Sequence, residues 1–194
     1  MPWHASRFRK LLPFAPWIVL LLVVGAVVSQ LETWRVRTSL DLLDGPLIVE
    51  PPVKSARDAD IPGDSDVIGV SVGGRYRAYL VAAFFNAPQH VVNDMVGGKP
   101  VTITHCDRKS CTRVFTGLQA TRPLDIRVGG WIETDSDGSM LLRVGSCLYR
   151  QDTGASVSGD AAFPYSPVEF ERTTWQDWKA KHGETDIYVQ SPLR

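Results

Sequence analysis

The sequence predicts an α+β fold made mostly of antiparallel strands, a meander or partly closed barrel, with one C-terminal helix and an N-terminal transmembrane helix ahead of it. Three observations predict it. Leu11 to Leu31 is a run of 21 residues without a charge, long enough to cross a hydrocarbon core of about 30 Å. Four short apolar runs end in a Val followed by Gly-Gly or Gly-Ser, the composition of tight hairpin turns. One stretch near the C-terminus carries helical spacing between a cap and a stop signal.

The N-terminal run predicts the domain organisation. His4, Arg7, Arg9 and Lys10 precede it, so residues 1–10 read as a cytoplasmic tail, 11–31 as the anchor and everything beyond as exported. Trp3 and Trp17 suit the near interface, and Trp34 with Arg35 the far one. Pro13 and Pro16 fall in the first turns, where a missing N–H costs least. A cleaved signal peptide is the rival, because Val27 and Ser29 are small enough for a cleavage site, but a signal core is usually 7–15 residues. Either way the expected location is the bacterial cytoplasmic membrane, crossed once with the N-terminus inside and the C-terminal domain periplasmic or otherwise extracytoplasmic. Residues 32–66 read as a spacer. They hold Pro46, Pro51, Pro52 and Pro62 and no sustained period, although Leu40 to Val49 could add a short strand or pack on the domain. The folded body is expected over 67–194.

Within that body, Ile68, Val70 and Val72 alternate before Gly73-Gly74, and Tyr76, Ala78 and Leu80 after it. Gly reaches positive φ without steric cost, so Gly-Gly between such runs favours a hairpin. The same reading applies at Gly97-Gly98, Gly129-Gly130 and Gly145-Ser146. Gly-Gly could mark bulges instead, but four occurrences favour a meander. Val101, Ile103 and His105 face opposite to Thr102, Thr104 and Cys106. Thr174 caps a helix with Asp177 three residues on. Trp175 and Trp178, with Lys179 beside them, share its face as a lid over the sheet, and Gly183 ends it after His182. Ile187 to Val189 is the last strand.

Lys plus Arg and Asp plus Glu are 21 each, so no overall field draws in nucleic acid. Gly-x-Ser-x-Gly, Walker and His-Glu-x-x-His motifs are absent. Chemistry concentrates in His105-Cys106-Asp107-Arg108-Lys109-Ser110-Cys111. In an exported domain two cysteines five apart favour a disulfide, with Asp107 to Ser110 as the turn that brings them together. Redox thiols are the second reading, since Arg108 and Lys109 would favour a thiolate. A metal site is the third: His105, Cys106, Cys111 and the distant His90 could take copper or zinc, though neighbours in a strand point to opposite faces. No cofactor is required. Cys147 is the odd cysteine, inert or the true partner of one of the others. A second polar cluster runs from Gln89 to Asp94: His90 with Asp94 could form an acid–base pair, against the plainer reading of a strand-entrance histidine and an Asn93-Asp94 turn initiator.

The order Val67-Ile68-Gly69-Val70, Gly73-Gly74-x-x-x-Ala78-Tyr79, Val92-Asn93-Asp94-x-x-Gly97-Gly98-x-Pro100-Val101, then a polar-flanked Cys106, resembles a bacterial family catalogued as domain of unknown function 3179. Leu148-Tyr149, Gln151-Asp152-Thr153-Gly154 and Thr173-Thr174-Trp175-x-x-Trp178-x-x-x-His182 extend the resemblance, which covers about Val67 to Val189. Pro88-Gln89-His90 stands where the family usually has Trp-His-Glu, Cys106 and Cys111 where it has cysteines two apart, and a Ser-Leu-Trp-Ser-like stretch is missing. The resemblance implies an exported or membrane-anchored domain and brings no activity with it. The expected function is therefore a membrane-anchored extracytoplasmic binding or accessory module. Its best functional surface is the Cys106–Cys111 loop, and its partners are the membrane and an envelope or membrane-complex protein. The enzyme-class alternative is a thiol–disulfide or copper- or zinc-dependent redox protein at the same loop, assisted by His105 or His90.

Overall fold

The computed structural model describes residues 23, 38–134 and 137–190. The tail and the apolar run Leu11–Leu31 lie outside the described residues, Val23 apart. Among the described residues no helix is long and apolar enough to cross a membrane.

In chain order the strands are β1 Thr38–Leu42, β2 Val53–Ser55, β3 Asp66–Val72, β4 Arg75–Leu80, β5 Val91–Val96, β6 Lys99–Cys106, β7 Cys111–Thr116, β8 Ile126–Thr134, β9 Gly138–Val144, β10 Cys147–Arg150, β11 Ser166–Pro167 and β12 Glu171–Thr174. Helix α1, Trp175–Lys181, and β13, Asp186–Tyr188, complete the chain. They form three sheets, ordered β1-β8-β9-β10, β11-β7-β6-β5 and β12-β3-β4-β13-β2. Every strand pairing is antiparallel except β13 with β4. The runs β5-β6-β7 and β8-β9-β10 are the meanders that the sequence suggests. No barrel closes, because the strands divide among three sheets that each keep two edges.

The sheets stack as layers, and strand alternation explains how. The β5-β6-β7 sheet is central. One of its faces sends Val92, Ile103 and Val114 into a core shared with Ile68, Val70 and Tyr79 of the third sheet. The other sends Val91, Cys106 and Phe115 into a core shared with Ile126, Val128, Met140 and Leu142 of the first. Helix α1 covers the far face of the third sheet, burying Trp175 and Trp178 against Val67, Ala78 and Ile187. So β3 and β6 are covered on both faces: β3 buries Val67 to Val70 without a break, and β6 buries every residue from Pro100 to Cys106, Thr102, Thr104 and His105 included.

Local chemistry holds the lid. The Thr174 hydroxyl accepts from Asp177 N at 3.2 Å and donates to its carboxylate at 2.8 Å, the cap that the sequence predicts. Trp178 Nε1–H donates to Thr185 Oγ1 at 2.9 Å. Its ring lies on Gly69, where a Cβ would stand 2.3 Å from the indole. Lys179 is exposed and reaches over the Trp175 ring rather than joining the buried face.

Two expectations are corrected. The distal part of 32–66 is no spacer: β1 pairs with β8 along its whole length, and β2 pairs with β13. Gly129-Gly130 is no turn. It is a bulge inside β8, where the register shifts between Val128 and Gly130, and a Cβ on Gly130 would meet the Asp41 carbonyl oxygen at 2.0 Å. The other three Gly positions do turn hairpins. Those at Gly73-Gly74 and Gly97-Gly98 have positive φ at both residues and pack backbone to backbone, a Gly73 Cβ falling 2.3 Å from Gly97 O.

Candidate functional site

The β6–β7 hairpin extends from the central sheet and ends in Asp107–Ser110, as the sequence suggests. Ser110 holds a left-handed φ of 49°, and Asp107 Oδ1 accepts from Arg108 N at 2.8 Å. The base of the tip is pinned from the turn just after β10: buried Gln151 donates through Nε2 to Thr104 Oγ1 and Cys111 O, each at 3.1 Å. Lys109 bridges Asp137 at 2.5 Å and Asp152 at 3.5 Å, and Arg150 holds both carboxylates. Burial alone would raise the Asp152 pKa; the Arg150 guanidinium outweighs it and brings it to about 2. The tip is thereby a braced projection between the two gaps that flank the central layer.

The gap toward the third sheet opens as a cleft of about 820 Å³, lined by Asp107 and Ser110 of the tip, Asp66, Lys54, Phe85 and Arg172. His105 lies in its wall, 2 % exposed, with Nδ1 2.8 Å from Thr112 Oγ1 and its ring edge-on to Phe84. Burial, then the Arg172 and His90 charges, lowers its pKa to about 4. It is a neutral imidazole at neutral pH, and no hydrogen-bond partner for its Nε2 stands among the described residues. Arg172 donates one Nη2–H to Asp66 at 3.2 Å.

The gap toward the first sheet holds a smaller cavity of about 280 Å³, lined by His90, Cys106, Asp107, Arg108, Trp131 and Met140. His90 Nδ1 bonds the Phe84 carbonyl. A carbonyl only accepts, so Nδ1 carries the proton and Nε2 presents a lone pair, 3.4 Å from Asp107 Oδ1. Burial lowers the His90 pKa, partly offset by the Phe84 carbonyl and Asp107. Arg108 stacks over the Trp131 ring at 4.8 Å.

The cysteines are corrected. All three are free. Cys106 and Cys111 face each other as the last pair of the β6–β7 ladder, yet the expected bridge is not formed. Cys106 is packed as a small hydrophobe in the core between the first and central sheets, and Cys111 is half-buried beside Gln151. Burial, with the nearby Asp152 carboxylate, pushes the Cys111 thiol up, the reverse of the activation expected from Arg108 and Lys109. Cys147, at the start of β10, also stands apart. The metal set divides as well: His105 opens on the larger cleft and Cys106 on the smaller. Among the described residues no group of three His, Cys, Asp or Glu side chains is placed to hold an ion.

Asn93 and Asp94 are neither a turn nor an acid–base partner of His90. They lie in the middle of β5 and point to opposite faces. Asn93 Nδ2 donates to Ile126 O at 2.8 Å and Ile48 O at 3.2 Å, while its Oδ1 accepts from Thr102 Oγ1 at 2.8 Å and from Ile126 N at 3.3 Å. Asp94 accepts from Arg77 Nη1 and Tyr79 Oη, each at 2.7 Å, on the other side. One dipeptide thus ties the central sheet to both neighbours. The carboxylate near His90 is Asp107. Arg172, Asp66 and Trp131 went unmarked in the sequence: a charge at a strand end or an indole beside Gly-Gly carries no local signal of a cleft.

Fold and site together define a layered, mostly antiparallel β domain with an imidazole in each of two interlayer openings. Residues 44–192 match the family described as a protein of unknown function (DUF3179), and the chain belongs to it. The match starts before Val67, in keeping with the folding of the segment read as spacer. No curated protein and no solved structure matches the chain.

Proposed function

We propose that the chain is a binding or accessory module, displayed outside the bacterial cytoplasmic membrane by Leu11–Leu31, whose ligand sits in the cleft beside His105 and along the Asp107–Ser110 tip. The observation that carries this is the cleft of about 820 Å³ with the His105 imidazole in its wall, held through Nδ1 alone. An imidazole with a pKa near 4 is a poor general base at neutral pH, where a catalytic pKa lies close to the working pH. It is a good fixed hydrogen-bonding group in a cleft of ligand size, with Arg172 and Lys54 to meet negative charge and Phe85 for apolar surface.

The test is a small-metabolite screen on the full chain in detergent, read by the His105 imidazole NMR signals. A binder should shift them saturably, and His105→Asn should weaken it at least tenfold without moving the unfolding midpoint. A screen in which nothing perturbs His105 sinks the reading. Export is tested separately, with a C-terminal reporter enzyme active only outside the cytoplasm.

A second reading rests on the facing Cys106 and Cys111. Two thiols at one ladder position could exchange with a partner's disulfide, becoming a disulfide while the partner's sulfurs leave as two thiols. Alkylation of the native protein, with and without reductant, decides it. Failure to convert reversibly between two free thiols and none at that pair removes the redox reading.

A further inference from the structure

We propose that the smaller cavity, between the central and first sheets, is a second binding site that takes a compact primary amine with an apolar body. A mismatch of hydrogen-bonding groups marks the site. His90 has a side chain 8 % exposed, and its Nε2 lone pair faces the Asp107 carboxylate at 3.4 Å. Asp107 Oδ1 already takes the Arg108 N–H at 2.8 Å and its side chain is 39 % exposed, so the acceptor with no donor among the described residues is His90 Nε2, and buried polar groups in native proteins are otherwise almost always paired. The proton cannot come from moving the tautomer, because Nδ1–H is held by the Phe84 carbonyl. Adding a second proton opposes the burial and the Arg108 charge, both of which act against the imidazolium.

Geometry and charge select the donor. A nitrogen at the apex of a triangle on this 3.4 Å base can sit roughly 2.9 Å from both acceptors, and it then needs two hydrogens diverging from one atom. A primary ammonium or amine supplies them; a hydroxyl supplies one. The charged groups lining the cavity are Asp41, Asp107 and Arg108, a net charge of −1 with His90 neutral, and one ammonium balances it. The rest of the wall, from Leu42, Val128, Trp131 and Met140, is apolar and suits a hydrocarbon or aryl body. A volume of about 280 Å³ admits a molecule of about ten heavy atoms, near the lower end of ligand pockets. The Trp131 face already carries Arg108, so the ammonium belongs at His90 and Asp107 rather than over the indole.

The experiment is calorimetric titration of the full chain in detergent at pH 7.5 with 2-phenylethylamine, its N,N,N-trimethyl analogue and ethylbenzene. The amine should bind at least tenfold more tightly than either comparison compound. His90→Phe and Asp107→Asn should each remove that preference. Asp107 lies on the exposed tip, so its variant remains informative if His90→Phe fails to fold. Equal binding of the amine and its trimethyl analogue overturns the proposal, as does no binding of the amine at millimolar concentration. Nitrogen-15 NMR showing His90 Nε2 protonated at pH 7.5 without ligand overturns it too, because the mismatch would then be closed internally.

Discussion

Asn93 and Asp94, in the middle of β5, and His90 and His105, where β5 begins and β6 ends, are all nearly inaccessible, at 0, 2, 7 and 2 % exposure. They differ in what surrounds their polar atoms. The Asn93 amide meets Ile48, Thr102 and Ile126, and Asp94 binds Arg77, Tyr79 and its neighbour's Met95 N–H. Each histidine spends one ring nitrogen on the protein and leaves the other toward an opening. Burial alone therefore does not separate scaffold from site in this molecule. The direction of the spare ring nitrogen does, because it turns toward an opening where a ligand or water can meet it.

The comparison can be broken by substitution. Asp94→Ala strands the half-buried Arg77 guanidinium and the buried Tyr79 hydroxyl, and breaking a buried pair from one side costs about 3–5 kcal/mol. Urea unfolding should show it as the largest loss among these variants. Asn93→Ala leaves Thr102 Oγ1 and the Ile126 amide without their acceptor and should cost about 2–4 kcal/mol. A loss under 1 kcal/mol at either position would mean that the sheets are held together by apolar packing alone.

Next comes acid. His105 titrates near 4 in the folded chain and His90 below its usual value, whereas both sit near 6.5 when unfolded. As pH falls below about 6.5 the unfolded state binds protons that the folded state refuses, so stability drops progressively toward pH 4. Further down, Asp152, with a folded pKa of about 2, adds its own loss as it protonates. The urea midpoint should decline between pH 6.5 and 4.5, before the carboxylates titrate. A flat midpoint over that interval would show that the imidazoles are as accessible to protons folded as unfolded.

What the sequence disclosed follows from the range of the interactions involved. Hairpin turns at Gly73-Gly74 and Gly97-Gly98, and the Thr174 cap, are chosen by residues within four positions, and they were legible. That both Gly pairs are needed because the turns touch is a contact across sheets, and it was not. The bulge at Gly130 depends on β1, nearly ninety residues away, and the sequence offers a strand over Leu40 to Val49 only as an option within a segment whose prolines look like linker. The turn Asp107–Ser110 is legible in the sequence, whereas its place beside both openings follows from the stacking of the sheets. A disulfide at its base is the chemical default of an exported domain, and layering decides the cysteines' actual neighbours. His90 and Asp94 are close in sequence, but four residues along a strand is roughly 13 Å.

The smallest expected effect tests the other half of the comparison. His105→Leu at pH 7.5 removes one hydrogen bond, to a Thr112 hydroxyl that can turn elsewhere, and replaces a neutral ring by an apolar side chain that fits against Phe84 and the cleft wall. Thr112 is half-buried and only one ordinary hydrogen bond is lost, so the change should stay within about 1 kcal/mol. The same variant should remove much of the acid-dependent decline, because the group that refuses protons is gone. A cost as large as that of Asn93→Ala would place His105 with the scaffold, and the cleft would lose the feature that marks it as a site.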